Sequence, residues 1–231
     1  VTTSPQLLQE LKNLGCHPER LIMLPCCLSA DQEANALSLA YPEPSSTLSV
    51  LFVGRLDSYK RLDLLLHSLS CISLPWRLSV VGDGPKRAYF EKFAQDILEI
   101  TPGLDNSSVH FYGRLSEEEK LLRLSDADLL VLPSDRCNEA FGIVQLEAMA
   151  SGRLSLAFDM PRSGMGWVCH LPALSWSQTS DGLPEVLQYL SDNPSLRLQL
   201  CIQSRRRYLS LFARSAWFQG VHRFVDLLGT L

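Results

Sequence analysis

The feature that most constrains this chain is a repeated short apolar run that stops at glycine or proline. LSVLFV (48–53) ends at Gly54, RLSVV (77–81) at Gly82, SVHFY (108–112) at Gly113 and DLLVL (128–132) at Pro133. LSLAF (154–158) is a further run of the same kind. Between these runs apolar residues recur at helical spacing, from about Lys60 to Cys71 and from about Lys86 to Ile100. A capping-box pattern at Ser116–Glu119 opens another helix to about Ser125, and a fourth runs from about Gly142 to Ser151 with Gly152 as its stop. Two or three helices finish the chain, beginning near Leu183, Pro194 and Ser215. Strands that are apolar throughout and alternate with helices require a parallel sheet covered on both faces. The expected fold class is therefore α/β, a doubly wound parallel sheet.

The first forty residues have a different rhythm. Residues 6–14 (QLLQELKNL) show helical spacing and 20–24 (RLIML) read as a short strand. Val1-Thr2-Thr3-Ser4-Pro5 reads as the end of a strand caught mid-structure, so the chain is expected to begin inside a longer protein. YPEPSST (41–47) has the composition of a linker and sets the expected boundary between residues 1–47 and 48–231.

Composition narrows the function classes. A formal net charge of −4 argues against a nucleic-acid partner. The seven cysteines (Cys16, Cys26, Cys27, Cys71, Cys137, Cys169 and Cys201) are irregularly spaced and contain no C-x-x-C, which suits reduced thiols in a cytoplasmic protein. No zinc-type spacing appears among cysteines and histidines, and His17, His67, His110, His170 and His222 are scattered. No apolar run reaches the length of a membrane span. The cluster Arg205, Arg206, Arg207 and Arg214 is read as a solvated helix face, the alternative being peripheral contact with an anionic membrane or a lipid-linked acceptor.

In doubly wound sheets ligands bind outside the carboxyl ends of the strands. Gly54-Arg55, Gly82-Asp83-Gly84-Pro85, Gly113-Arg114 and the segment from Ser134 to Gly142 all fall at that edge, and Gly164-Met165-Gly166 lies just past the fifth run. Together they point to a crevice where backbone approaches a ligand. The segment 138–152 (NEAFGIVQLEAMASG) carries most of the chemistry. With a helix starting near Gly142, Ile143, Leu146, Glu147 and Ala150 share one face, so Glu147 sits in an apolar stripe. A carboxylate so placed must be paired or hydrogen-bonded. Sugar hydroxyls satisfy that need as donors; a salt bridge to an internal arginine is the plainer alternative. The free N–H groups around Gly142, Ile143 and Val144 suit a phosphate. Glu139, eight residues before Glu147, adds a second carboxylate, and Arg55 and Lys60 add cations that would stabilise a departing diphosphate.

These residues resemble a known family. EAFGIVQLE (139–147) looks like the E-x7-E motif of retaining glycosyltransferases of the GT-B fold, family 4, and EAMASG (147–152) matches its usual continuation. VGRLDSYKRLDLLL (53–66) is similar to that family's phosphate-binding segment, with Arg61 where glycine is common. VVGDGP (80–85), VHFYGRLSEEE (109–119) and ADLLVLPS (127–134) follow in the family's order. The resemblance implies the Rossmann-like C-terminal half of a GT-B enzyme. It implies that Arg55 and Lys60 hold the donor diphosphate, that Glu139 contacts the donor sugar and that Glu147 contacts the ribose. Backbone contacts would come from Phe141, Gly142, Ile143 and Val144. Arg114 and Leu115 would lie beside the base, which Gly82 and Gly84 allow to approach, and Gly54 would also belong to the donor-binding set. It implies no cofactor and no metal. The substrate is a nucleotide-diphosphate sugar, and the partners are a saccharide or lipid-linked acceptor and an N-terminal domain of which residues 1–40 resemble only the last elements.

Two segments depart from the pattern. DMPRSGMGW (159–167) is closer to a P-x-S-G-x-x-W variant of some polysaccharide mannosyl- and rhamnosyltransferases than to the usual G-G-x-x-E loop, which leaves the donor sugar open. Residues 21–28 resemble the family's I-x-V-I-P-N-G-V-D segment, with Cys26-Cys27 in place of Asn-Gly. Two other readings stand beside the enzyme: a nucleotide-sugar-binding module that catalyses nothing alone, and an unrelated doubly wound regulator. The latter would need a G-x-G-x-x-G turn after its first strand, which Gly54-Arg55-Leu56-Asp57 is not.

Overall fold

The computed structural model describes residues 1–136 and 139–229, with the side chains of 228 and 229 left aside. Cys137 and Asn138, both part of the expectations above, lie outside the described residues. The apolar runs form β1 (Leu48–Val53), β2 (Trp76–Val81), β3 (Ser108–Gly113), β4 (Leu129–Leu132) and β5 (Leu154–Ala157). They pair in parallel in the order β3-β2-β1-β4-β5. Register runs from Leu48↔Trp76 to Val53↔Val81 between β1 and β2, and from Leu129↔Leu154 to Leu132↔Ala157 between β4 and β5.

Side chains alternate along a strand; in β1, β4 and β5 both sets are largely apolar, whereas the second set of β2 and β3 includes Arg77, Ser79, His110 and Tyr112. Val50 and Phe52 of β1, Leu129 and Val131 of β4 and Leu154 and Leu156 of β5 join one core. That core is closed by α3 (Leu62–Ser70), α4 (Arg87–Ile100), α8 (Leu183–Asp192) and part of α9 (Pro194–Leu211). Leu51, Leu130, Leu132 and Ala157 point the other way, against α5 (Glu117–Ser125), α6 (Val144–Ala150) and α7 (Met165–Cys169). Helix α10 (Arg214–Gly229) ends the described chain. Both halves of the Ser116–Glu119 capping box form, as the pattern predicts.

The N-terminal segment differs from expectation. Helix α1 (Pro5–Asn13) forms, but 20–24 is no strand; a single parallel bridge joins Thr2 to Met23. The bridge consists of the Thr2 amide donating to Ile22 O and the Leu24 amide to Thr2 O, each at 2.8 Å, and among the described residues no ladder continues from it. A helix not anticipated, α2 (Ala30–Ser38), carries its own reciprocal capping box between Ser29 and Gln32. Leu28 and Ala36 pack with Phe141, Leu146 and Met149 in a third core. Glu33 accepts from Tyr208 Oη at 2.8 Å and from the Arg214 amide at 2.9 Å. Residues 41–47 are irregular, and Arg197 donates to Ser45 O at 2.6 Å.

The helix expected from Lys60 is split. Ser58–Lys60 form a single 3-10 turn and Arg61 turns left-handed, φ 50° and ψ 43°, before α3 begins. A non-glycine residue in that region costs about 1–2 kcal/mol. The arginine cluster is a correction of a different kind. Arg205 donates to Leu39 O, Arg207 to Trp167 O and Val168 O, and Arg214 to Leu28 O. Only Arg206 is exposed. Three of these guanidiniums therefore bond backbone carbonyls, Arg205 and Arg214 at the ends of the segments flanking α2 and Arg207 in α7, and the cluster is neither a solvated face nor a free cationic patch.

Candidate functional site

β1 is the switch point of the sheet: the chain runs outward to β2 and β3, then crosses back to β4 on the other side. The loops after β1 and β4 diverge there and leave a crevice between them. Lys60 rises from the first loop and Glu139 from the second, and their ammonium and carboxylate are in contact. Both side chains are largely shielded, at 10% and 21% exposure. The next residue, Arg61, spans the same gap to Asp135 and also grips Asp63 at 3.1 Å. Arg55 is exposed at the rim, its Nε 3.5 Å from Asp57.

The backbone of the second loop is stitched from the far side. Ser163 donates to Glu139 O at 2.5 Å and the Gly164 amide to Ala140 O at 2.8 Å. The departure segment 159–167 thus supports the very residues that the motif singles out. The amides of Gly142, Ile143 and Val144 find no acceptor among the described residues. Phe141, expected only for its backbone, buries its ring against Phe212 with centroids 6.0 Å apart.

Glu147 is 8% exposed, and its Oε2 lies 2.8 Å from Lys120 Nζ. The salt-bridge alternative is thereby realised, with a lysine of α5 in place of the arginine supposed. Burial pushes the Glu147 carboxyl above the usual carboxylate range, and Lys120 opposes the rise. Burial alone would lower the Lys120 ammonium, but its contacts with Glu147 and Glu117 outweigh that and raise it. The pair is not sealed in. It forms one wall of a cavity of about 380 Å³ between α2, α5 and α6, lined also by Ser29, Gln32, Asn35 and Leu121. That size suits a small organic ligand. Gly142 does not line it.

The glycines at the strand ends have a mechanical reason of their own. The Gly54 and Leu56 amides donate to Val81 O and Asp83 O, each at 3.0 Å. A Cβ on Gly82 would lie 1.9 Å from Gly54 O, and one on Gly84 2.4 Å from Leu56 O. Close approach of one loop to another accounts for both. Arg114 is exposed and Leu115 half-buried against α5 and β4 residues, at the mouth of the β3 loop.

Sequence reasoning missed Lys120, Asp135 and Ser163. Lys120 had a weak signal, since the capping box places it one turn into α5, beside Leu121 and Leu124. Ser163 is the serine of the P-x-S-G-x-x-W variant and Asp135 falls in the segment after the fourth strand, but neither was singled out, because nothing local shows what each would bond. All five histidines are exposed and Trp167 packs on Phe212 at 5.3 Å, so none of these residues joins the site.

Comparison with known proteins matches residues 47–170 to the family model described as glycosyl transferases group 1. Among curated relatives, D-rhamnosyltransferase WbpZ of Pseudomonas aeruginosa is 38% identical over 110 residues, 48% of this chain and 26% of the relative. O-antigen chain mannosyltransferase C of Escherichia coli is 27% identical over 240 residues, covering 100% of this chain and 60% of the relative. The chain thus spans between about a quarter and three-fifths of these relatives' lengths. Among solved structures, sucrose-phosphate synthase of Thermosynechococcus elongatus superposes with a TM-score of 0.69 at 25% identity, over 100% of this chain and 58% of that one. A glycosyltransferase of Rickettsia africae gives 0.75 at 16% identity, over 98% and 62% respectively, which is a likeness of fold. No helix among the described residues is long and apolar enough to cross a membrane.

Proposed function

The chain belongs to the group 1 glycosyl transferases, and from that membership we propose that it carries the donor-binding machinery of a retaining hexosyltransferase of GT-B family 4. The reaction is transfer of a sugar from a nucleotide diphosphate to a saccharide or lipid-linked acceptor in polysaccharide or glycolipid synthesis. The division into an N-terminal remnant (1–47) and a donor domain (48–231) is part of the same proposal. Mannose or a deoxy relative such as rhamnose is the favoured donor sugar. Two observations support that choice: the P-R-S-G-M-G-W segment (161–167) and the similarity to a rhamnosyltransferase and a mannosyltransferase.

The observation that carries the reading is the Lys60–Glu139 contact across the crevice. A diphosphate entering between the two loops competes with Glu139 for Lys60. Once Lys60 turns to phosphate, Glu139 is released to accept hydrogen bonds from sugar hydroxyls. Arg55 at the rim and the free amides of Gly142, Ile143 and Val144 supply the remaining positive potential. In this proposal they, and not a metal, offset the charge that grows on the leaving diphosphate. Glu147, with Lys120 beside it, faces the cavity in which the nucleoside would sit, its carboxylate accepting from ribose hydroxyls.

The test is turnover of UDP- and GDP-linked mannose and rhamnose by the full-length protein and by its Glu139→Gln and Lys60→Ala variants. Each substitution is expected to abolish transfer, and parental turnover in both would reject the reading. Calorimetry distinguishes the binding module: donor bound but never consumed favours it.

A further inference from the structure

Arg61 occupies a backbone conformation that suits glycine, φ 50° and ψ 43°, at a position where the pattern resembled by residues 53–66 has glycine. The strain is offset by what its guanidinium reaches. Nε and Nη2 bond the Asp63 carboxylate at 3.1–3.2 Å, and Nη1 meets Asp135, 74 residues further along the chain. Every nitrogen of the fork is used. Lysine would bring a single nitrogen in place of this planar fork of three. Lys60 and Arg61 are consecutive, and their partners Glu139 and Asp135 are four residues apart on the loop that follows β4. Two adjacent cations thus cross the crevice side by side.

We propose that Arg61 is a positioning residue: by anchoring the turn after β1 to Asp135 it sets where Lys60 stands in the crevice. The inference rests on the sugar-transfer reading for its consequence, while the anchor itself is a claim about the fold. Substitution of Arg61 by glycine removes the strain together with the anchor, so stability and function should respond in opposite directions. Asp135→Asn breaks the same pair without touching the backbone.

The experiment compares the parent with Arg61→Gly, Arg61→Lys, Asp135→Asn and the Arg61→Gly/Asp135→Asn double variant in the full-length protein. The melting temperature of Arg61→Gly is expected to equal or exceed the parent's. Its affinity for UDP or GDP, and its kcat/KM, are expected to fall between about tenfold and a hundredfold, as for a displaced catalytic group. Asp135→Asn should show the same loss, and the double variant no more than either alone. Arg61→Lys should restore only part. A residue that merely supports the fold would instead lower the melting temperature and leave the nucleotide affinity of the folded protein unchanged, which overturns the proposal. Should the parent bind no nucleotide, the sugar-transfer reading fails, and amide hydrogen exchange decides the anchor separately. Faster exchange over residues 54–60 in both Arg61→Gly and Asp135→Asn upholds it, and unchanged exchange sinks it.

Discussion

Glu147 shows how a single residue is pulled two ways. Burial favours its neutral form and Lys120 favours its charge, with burial the stronger. For an acid whose folded pKa is raised, the unfolded chain ionises first as pH rises. Stability from this group is therefore full below the ordinary carboxylate value and is lost as pH rises through the folded value. Replacing Lys120 by methionine removes the opposing charge. Lys120→Met is expected to push the Glu147 titration further up, as read from its carboxyl carbon by NMR; a downward or absent shift would count against the pairing. Part of this was legible. The helical stripe put a carboxylate among apolar residues and so required a partner. Which residue would answer was not legible, because Lys120 lies on another helix, 27 positions earlier. Lys60 and Glu139 repeat the lesson. Each is expected from the sequence to meet the donor, yet their contact with each other depends on two loops meeting.

At the scale of elements, local rules performed well where a pattern is closed within a few residues. The capping box of α5 formed as its spacing predicts, and the same logic applied to Ser29 and Gln32 would have revealed α2. Local rules fail where burial depends on a distant element. Arg197 in α9 is 1% exposed; it pairs with Asp128, just before β4, at 3.4 Å and donates to Leu190 O and Ser45 O. Asp128 also receives the Ser49 amide at 2.8 Å. Breaking a buried pair by removing one partner typically costs about 3–5 kcal/mol. Arg197→Met should lose stability of that order in urea unfolding, with the midpoint lowered and the slope unchanged. The cluster at 205–214 misled for the same reason: its charge pattern suits solvent, but the carbonyls it bonds, Leu28, Leu39, Trp167 and Val168, lie far away in sequence.

For the molecule as a whole, the crevice lies between two loops joined by the Lys60–Glu139 and Arg61–Asp135 ion pairs, and under the proposed function a ligand bridging the same loops should stabilise the fold. A nucleoside diphosphate at a hundredfold excess over its dissociation constant contributes about 2.7 kcal/mol. At about 2–4 °C per kcal/mol for a chain of this size, the melting temperature should rise by roughly 5–10 °C in thermal denaturation. No rise with either UDP or GDP would count against nucleotide binding. What the amino-acid order determined by itself was the α/β class and the positions of the five sheet strands. Those follow from periodicity and turn residues, which act over a few positions. Only the tertiary structure decided the strand order, the seating of α2 on α6, and the pairing of Lys60 with Glu139, Arg61 with Asp135 and Lys120 with Glu147. Each of those depends on surfaces that come together after the strands have found their neighbours, and a contact between residues 27 to 79 positions apart leaves no mark on the spacing of either.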